Sequence, residues 1–152
     1  MRFLKKLILF TLLVLFAGAA MVGGRLVWQG YQIYKQVTGE TPLSEKVAEI
    51  RANPHYTTLD ELPQTYKDAV VAVEDSRFYK HGGFDLISTG RAVVINLREG
   101  ELAEGGSTIT QQLAKNMYFT QEKKILRKVA ELFVAFDLER DYTKDEILEL
   151  YL

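Results

Sequence analysis

Two blocks of this chain hold residue types whose spacing could do chemistry. Glu74-Asp75-Ser76-Arg77-Phe78-Tyr79-Lys80-His81-Gly82-Gly83 sets an acid beside aromatic and glycine residues, the composition of a cleft edge. Gly105-Gly106-Ser107-Thr108-Ile109-Thr110-Gln111-Gln112-Leu113-Ala114-Lys115-Asn116 concentrates hydroxyls, paired carboxamides and an ammonium group. An ordinary helix would carry Leu, Glu and Lys in those places. The second block therefore suits a polar ligand, anionic or sugar-like. Glu74 follows the apolar run 69–73 and precedes Asp75. Burial and a neighbouring carboxylate would both raise its pKa, as a general acid or base near neutral pH requires. The competing reading is a solvated carboxylate at a helix end.

Glu131 is the second acid of interest. It lies in an apolar helix, with Arg127 at i−4 and Lys128 at i−3 able to pair with it. A buried intrahelical ion pair and a functional carboxylate are both open on this evidence. Two carboxylates around a sugar-binding surface also form the constellation of glycoside chemistry. Lys115, Lys123, Lys124, Arg127 and Lys128 are opposed only by Glu122. They could meet anionic headgroups or a pyrophosphate. For Lys123 and Lys124 a solvated face is the simpler account; Lys115 and Arg127 flank the polar run and the acid. His81 has only Asp75 and Asp85 near it in sequence and His55 stands apart, so His81 reads as a packed turn residue rather than a metal ligand. Phe78 and Tyr79 read as core. No Ser-His-Asp elbow, P-loop or G-x-G-x-x-G is present.

The elements that must position these groups read as all-α. Asp60 is a candidate N-cap with Pro63 in the first turn of a helix whose apolar stripe is Tyr66, Ala69, Val70 and Val73. That helix delivers Glu74 near its end. Asp85 caps a second helix, from Leu86 to about Arg98, buried through Val93, Val94 and Leu97. Residues 100–106 form an acidic loop carrying Glu101 and Glu104. Thr108 and Gln111 have the spacing of a capping box for a third helix, and Thr143 with Glu146 for a fifth. Between them a fourth helix, opened by Thr120 and running over about 122–141, is apolar on nearly every face and is expected to be central.

Upstream, Arg2, Lys5 and Lys6 precede residues 7–24, which carry no charge, and Arg25 closes the run. Eighteen residues at helical rise cover about 27 Å, close to the hydrocarbon thickness of a bilayer. With Trp28 as interfacial anchor, residues 1–28 read as a basic tip and single transmembrane anchor, N-terminus inside. A cleaved signal peptide ending near Ala17-Gly18-Ala19 is the rival, disfavoured because the apolar run continues through Met21 and Val22. Residues 29–57 read as a stalk with a short helix near Leu43–Arg51, and residues 58–152 as the helical domain. Zero cysteines exclude a disulfide scaffold and a thiol nucleophile. The net charge of -1 gives no global field for nucleic acid.

Taken together the motifs are recognisable. Residues 74–85 resemble the E-D-x-x-F-x-x-H-x-G-x-D motif of glycosyltransferase family 51, the peptidoglycan transglycosylases. Residues 105–116 resemble its G-x-S-T-I-T-Q-Q-L-x-K-N motif, 127–131 its R-K-x-x-E motif, and 144–152 its K-x-x-I-L-E-x-Y-L-N motif without the final Asn. The resemblance implies a lysozyme-like helical domain with a membrane-associated jaw, single-pass in the cell membrane and outside the cytoplasm. It implies polymerisation of lipid II onto a growing glycan chain with release of polyprenyl pyrophosphate, alongside other cell-wall synthesis proteins. By motif position Glu74 would be the base and Glu131 the second essential carboxylate. Lys115 and Arg127 would meet leaving-group charge, while Asp75, Phe78, His81, Ser107, Thr108, Gln111, Gln112, Asn116 and Lys128 would line the substrate site. No cofactor is required by the sequence. A divalent cation, magnesium or manganese, fits the family's pyrophosphate chemistry, but no metal site is legible. The family's domain continues past its fourth motif, so the expectation is an incomplete domain. The alternatives are an inactive lipid II-binding fragment and a membrane-anchored muramidase-type hydrolase.

Overall fold

The computed structural model describes residues 2–99, 105–119 and 125–152. The expected acidic loop with Glu101 and Glu104, the start of the fourth helix at Thr120 and Glu122, and Lys123 and Lys124 lie outside the described residues. The rest is helical: α1 (Arg2–Glu40), α2 (Leu43–Arg51), α3 (Gln64–Glu74), α4 (Leu86–Glu99), α5 (Ile109–Tyr118), α6 (Ile125–Asp141) and α7 (Lys144–Tyr151). Two short 3-10 turns, Leu59–Glu61 and Phe78–Lys80, join them. No strand occurs among the described residues; Gly82 and Phe84 form one isolated bridge.

α1 is the first departure from expectation. Residues 29–40, expected as stalk, continue the helix without a break. Tertiary packing explains this. Gly30 is buried against α6, so close that a Cβ there would stand 2.5 Å from Val129 Cβ. Tyr31 and Tyr34 face Phe133 with ring centroids 5.3 and 5.5 Å apart. Tyr34 donates its phenol proton to Asp137 at 2.6 Å. Residues 7–24 of α1 are instead exposed and carry no charge, and the helix is long and apolar enough to cross a membrane.

α6 is the central helix, as its pattern predicts: it packs against α1, α5 and α7. Ala130, Val134, Ala135 and Leu138 are fully buried, Phe133 is covered by α1, and Phe136 remains half exposed. Phe78, Ile109, Leu113, Ile147 and Leu148 complete the core, joined by Val47 from α2. Each large apolar side chain so buried contributes about 1.5–3 kcal/mol. Polar bonds lock the same helices: Thr110 donates to Glu139 at 2.5 Å and Lys144 pairs with Glu139 at 2.8 Å. The Thr143–Glu146 capping box forms as read from the sequence.

The α3 and α4 readings need correction. Asp60 does not cap α3; Glu61 accepts from the amide and hydroxyl of Thr58 in the preceding 3-10 turn, and Pro63 occupies the α3 N-cap. α3 has no buried residue, and Val73 is 80% exposed. On α4 only Ala92 is buried, whereas Val93, Val94 and Leu97 are 52%, 65% and 79% exposed. Helical periodicity identified an apolar face correctly, but that face is mostly exposed rather than buried.

Candidate active site

Glu74 is the last residue of α3 and Asp75 its C-cap, with φ −158° and ψ 76°. This break turns the two adjacent carboxylates in opposite directions. Asp75 points inward, 6% exposed. It takes His81 Nε2 at 2.9 and 3.0 Å and the Ile109 amide, the first of α5, at 3.1 Å. Glu74 points outward and is exposed, so the burial expected around it is absent. Its Oε2 accepts from Gln112 Nε2 at 2.9 Å.

A cleft of about 340 Å³ opens beside Glu74. Asp75, Ser107, Thr108 and Gln112 line it, together with Ser76, Ser88, Arg91 and the backbone of Gly105 and Gly106. Arg91 and Ser88 escaped the sequence reading. The available signal was that Ser88 and Arg91 lie three apart on α4, on a face that also follows the Asp85 cap.

The polar residues of the second block divide into two sets. Thr108 and Gln111 are buried, and both donate to the Gly83 carbonyl, at 3.0 and 3.1 Å. Thr108 also caps α5 by accepting from the Gln111 amide at 3.1 Å. They clamp the turn after the first motif onto the start of the second. Gly83 itself abuts α6, where a Cβ would lie 3.1 Å from the Ala135 backbone. Phe78 is fully buried beneath this turn, with Lys144 Nζ 4.2 Å from its ring centroid. Ser107 and Gln112 form the other set, facing the cleft. Lys115 is partly exposed on α5, one turn beyond Gln112, and Asn116 faces a separate hollow between α5, α2 and α7.

Glu131 is fully buried, with Arg127 Nε 2.8 Å from one oxygen and Lys128 Nζ 3.0 Å from the other. The separations are short but fall outside hydrogen-bond geometry, so charge attraction rather than directional bonding joins the three groups. Lys128 also donates to Ser107 Oγ at 2.8 Å, which carries the buried acid's influence to the cleft wall. The buried intrahelical ion pair, one of the two readings of Glu131, is therefore present.

Asp75, His81 and Asp85 bring possible ligand atoms within 4.8 Å of one another. Their lone pairs are already engaged. Asp85 accepts from the Ile87 amide, Ser88 Oγ and Arg77 Nε at 2.9, 2.7 and 2.9 Å. Burial alone would raise the Asp85 carboxyl, but the bonds from Ser88, the Ile87 and Ser88 amides and Arg77 outweigh it and hold the group well below the usual carboxylate range. A cation would have to displace the Arg77 guanidinium, so the donor set does not fit a metal and no step is routed through one.

Comparison with known proteins agrees with the motifs. A family profile described as Transglycosylase matches residues 41–152, a span that takes in α2. Penicillin-binding protein 1A/1B of Bacillus subtilis is 41% identical over 97% of the chain. Penicillin-binding proteins 1A of Haemophilus influenzae and Vibrio cholerae are 44% and 37% identical over 97% and 100% of it. The chain spans only 17%, 18% and 20% of those three relatives. With four motifs in order and the profile covering every element from α2 to α7, the chain belongs to the transglycosylase family.

Proposed function

We propose that the chain carries the catalytic cleft of a peptidoglycan glycosyltransferase that polymerises lipid II outside the cytoplasmic membrane. The observation that carries this reading is the exposed Glu74 carboxylate, held by Gln112 in a polar cleft that also presents Arg91 and Ser107. Glu74 takes the proton of the acceptor's 4-hydroxyl as that oxygen attacks C1 of the growing chain. The bond from C1 to the pyrophosphate oxygen breaks, the polyprenyl pyrophosphate leaves with the electron pair, and the anomeric centre inverts. Positive groups stabilise the departing charge, the term that dominates such reactions. Lys128, Arg127 and Lys115 supply it, and Arg91 joins them. Glu131 acts by holding Arg127 and Lys128 in place. Ser107 and Gln112 meet the sugar–pyrophosphate region, on a frame built by Asp75, Phe78, His81, Thr108 and Gln111; Asn116, expected with them, faces the separate hollow of α5, α2 and α7.

α1 anchors this domain, N-terminus in the cytoplasm. The exposed apolar face of Leu86, Ile87, Val93, Val94 and Leu97, with Val73 beside the cleft, suits contact with the bilayer that holds a polyprenyl substrate.

The test supplies the protein, in membrane vesicles, with lipid II and separately with preformed glycan. Polymer forms from lipid II and the glycan is unchanged. Glu74→Gln lowers the rate about 10²–10⁴-fold with lipid II binding retained, because the amide cannot accept a proton. Glycan shortening without lipid II consumption would instead identify a hydrolase. Binding with no polymer would identify a lipid II-binding module, and near-normal turnover of Glu74→Gln would remove it from the mechanism.

A further inference from the structure

Tyr151, on α7, lies far from Glu74 in sequence but is joined to it through one side chain. Its hydroxyl donates to Gln112 Oε1 at 3.1 Å, and Gln112 Nε2 donates to Glu74 Oε2 at 2.9 Å. The directions are forced. A carboxylate only accepts, so Gln112 must present its NH2 to Glu74, which leaves its carbonyl oxygen facing Tyr151. A carboxamide held at one end only can rotate or flip; held at both ends it has one orientation. The Tyr151 ring is partly buried against the apolar core, so the hydroxyl is delivered by a fixed body rather than a mobile one.

We propose that Tyr151 is a positioning residue for the reaction: through the Gln112 carboxamide it sets the orientation of the Glu74 carboxylate toward the acceptor hydroxyl. This rests on the reading of Glu74 as base. Tyr151 touches no reacting atom. Burial, and next the nearby Glu74 charge, raise the Tyr151 phenol above its ordinary value, so it remains a donor throughout the range in which Glu74 must be ionised. The relay also links the fourth motif to a residue that lines the cleft.

The inference has two tests that fail separately from the general reading. In the chain itself, in detergent micelles, the Gln112 side-chain NH2 protons give slowly exchanging NMR signals that Tyr151→Phe turns fast-exchanging, without a change in thermal midpoint. Unchanged Gln112 signals in Tyr151→Phe overturn the relay whether or not the preparation polymerises lipid II. In the polymerising protein, Tyr151→Phe lowers kcat about tenfold, the scale of one orienting hydrogen bond, with KM within about twofold. Gln112→Ala lowers kcat comparably, and the double variant is no slower than Gln112→Ala alone. Multiplicative effects, or full kcat in Tyr151→Phe, overturn the proposal. Loss of the Glu74→Gln effect strikes the assignment of the base instead and leaves the NMR result to judge the relay.

Discussion

Gly30→Ala should undock the outer half of α1 while leaving the apolar half untouched. A Cβ at residue 30 would stand 2.5 Å from both Cβ and Cγ1 of Val129 and 3.2 Å from the Leu126 carbonyl oxygen. Ordinary contact needs about 1 Å more, and neither a β-branched carbon nor a helix backbone can yield that by rotating. Moving α1 away by that amount stretches the Tyr34–Asp137 bond from 2.6 Å beyond useful range and loosens the Tyr31–Phe133 contact. Overpacking of this kind costs about 1–3 kcal/mol, and a lost bond to a charged acceptor costs about 1.5–3 kcal/mol. Because the two losses are alternatives along one displacement, they do not add. Alanine returns about 1 kcal/mol through its better helix propensity. The net is about 1 kcal/mol against docking, which is about a fivefold change in the opening equilibrium. Amide hydrogen exchange on the chain in nanodiscs reads this directly. Amides of residues 31–40 should exchange about fivefold faster, while those of residues 7–24 stay unchanged. Slower exchange in 31–40 would mean that helix propensity outweighs the clash, and the argument that Gly30 permits the α1–α6 contact would fall.

Gly83→Ala should lower thermal stability by about 1–3 kcal/mol, because the new Cβ meets Ala135 backbone at 3.1 Å and shifts the carbonyl that Thr108 and Gln111 share; a calorimetric midpoint equal to the parent's would refute it. Asp85 has a folded-state pKa below its unfolded one, so its stabilisation is complete above about pH 4 and is lost as pH falls toward the folded value. Asp85→Asn should therefore be less stable than the parent at pH 7, with the gap narrowing as pH falls from about 4 toward 2, as circular-dichroism melts would show; a constant gap from pH 7 to pH 2 would contradict the sign. Lys115→Ala should weaken substrate binding and slow turnover together, with a smaller effect at high salt, since a contact to pyrophosphate acts in ground and transition states alike. Kinetics equal to the parent's at every ionic strength would return Lys115 to a solvated face.

Local signals made the helices legible. The boundaries at Thr108 and Thr143 follow from side chains that bond within their own turn, and α6 was recognisable as central from an apolar surface that only neighbours on several sides could cover. Apart from Asp60, displaced as a cap by the local Thr58–Glu61 pair and Pro63, the misreadings involve partners distant in sequence. Residues 29–40 look polar and broken by Gly30, and only Val129, Phe133 and Asp137 make them a helix worth holding. Periodicity showed that Val93, Val94 and Leu97 share a face but carries no information on whether that face meets protein or lipid. In the site, the motifs located Glu74, Ser107, Gln112 and Lys128. They did not separate these from Thr108, Gln111 and Asp75, whose polar atoms are turned inward onto Gly83, Ile109 and His81. Arg91 and Tyr151 stand on helices whose patterns look structural, so only the folded chain brings them to the cleft.

With α1 anchored in the bilayer as proposed, its unbroken helix would make the protein a lever with its fulcrum there. No turn or loop interrupts the helix from Arg2 to Glu40, and its outer half is fixed to α6 by rings, a glycine contact and a phenol–carboxylate bond. A helix adjusts to hydrocarbon thickness by tilting. With no joint to absorb the tilt, every degree taken up inside the membrane swings the cleft by the same angle about the surface. Bilayer thickness thereby becomes a mechanical input to how Glu74 meets anything presented from the lipid plane.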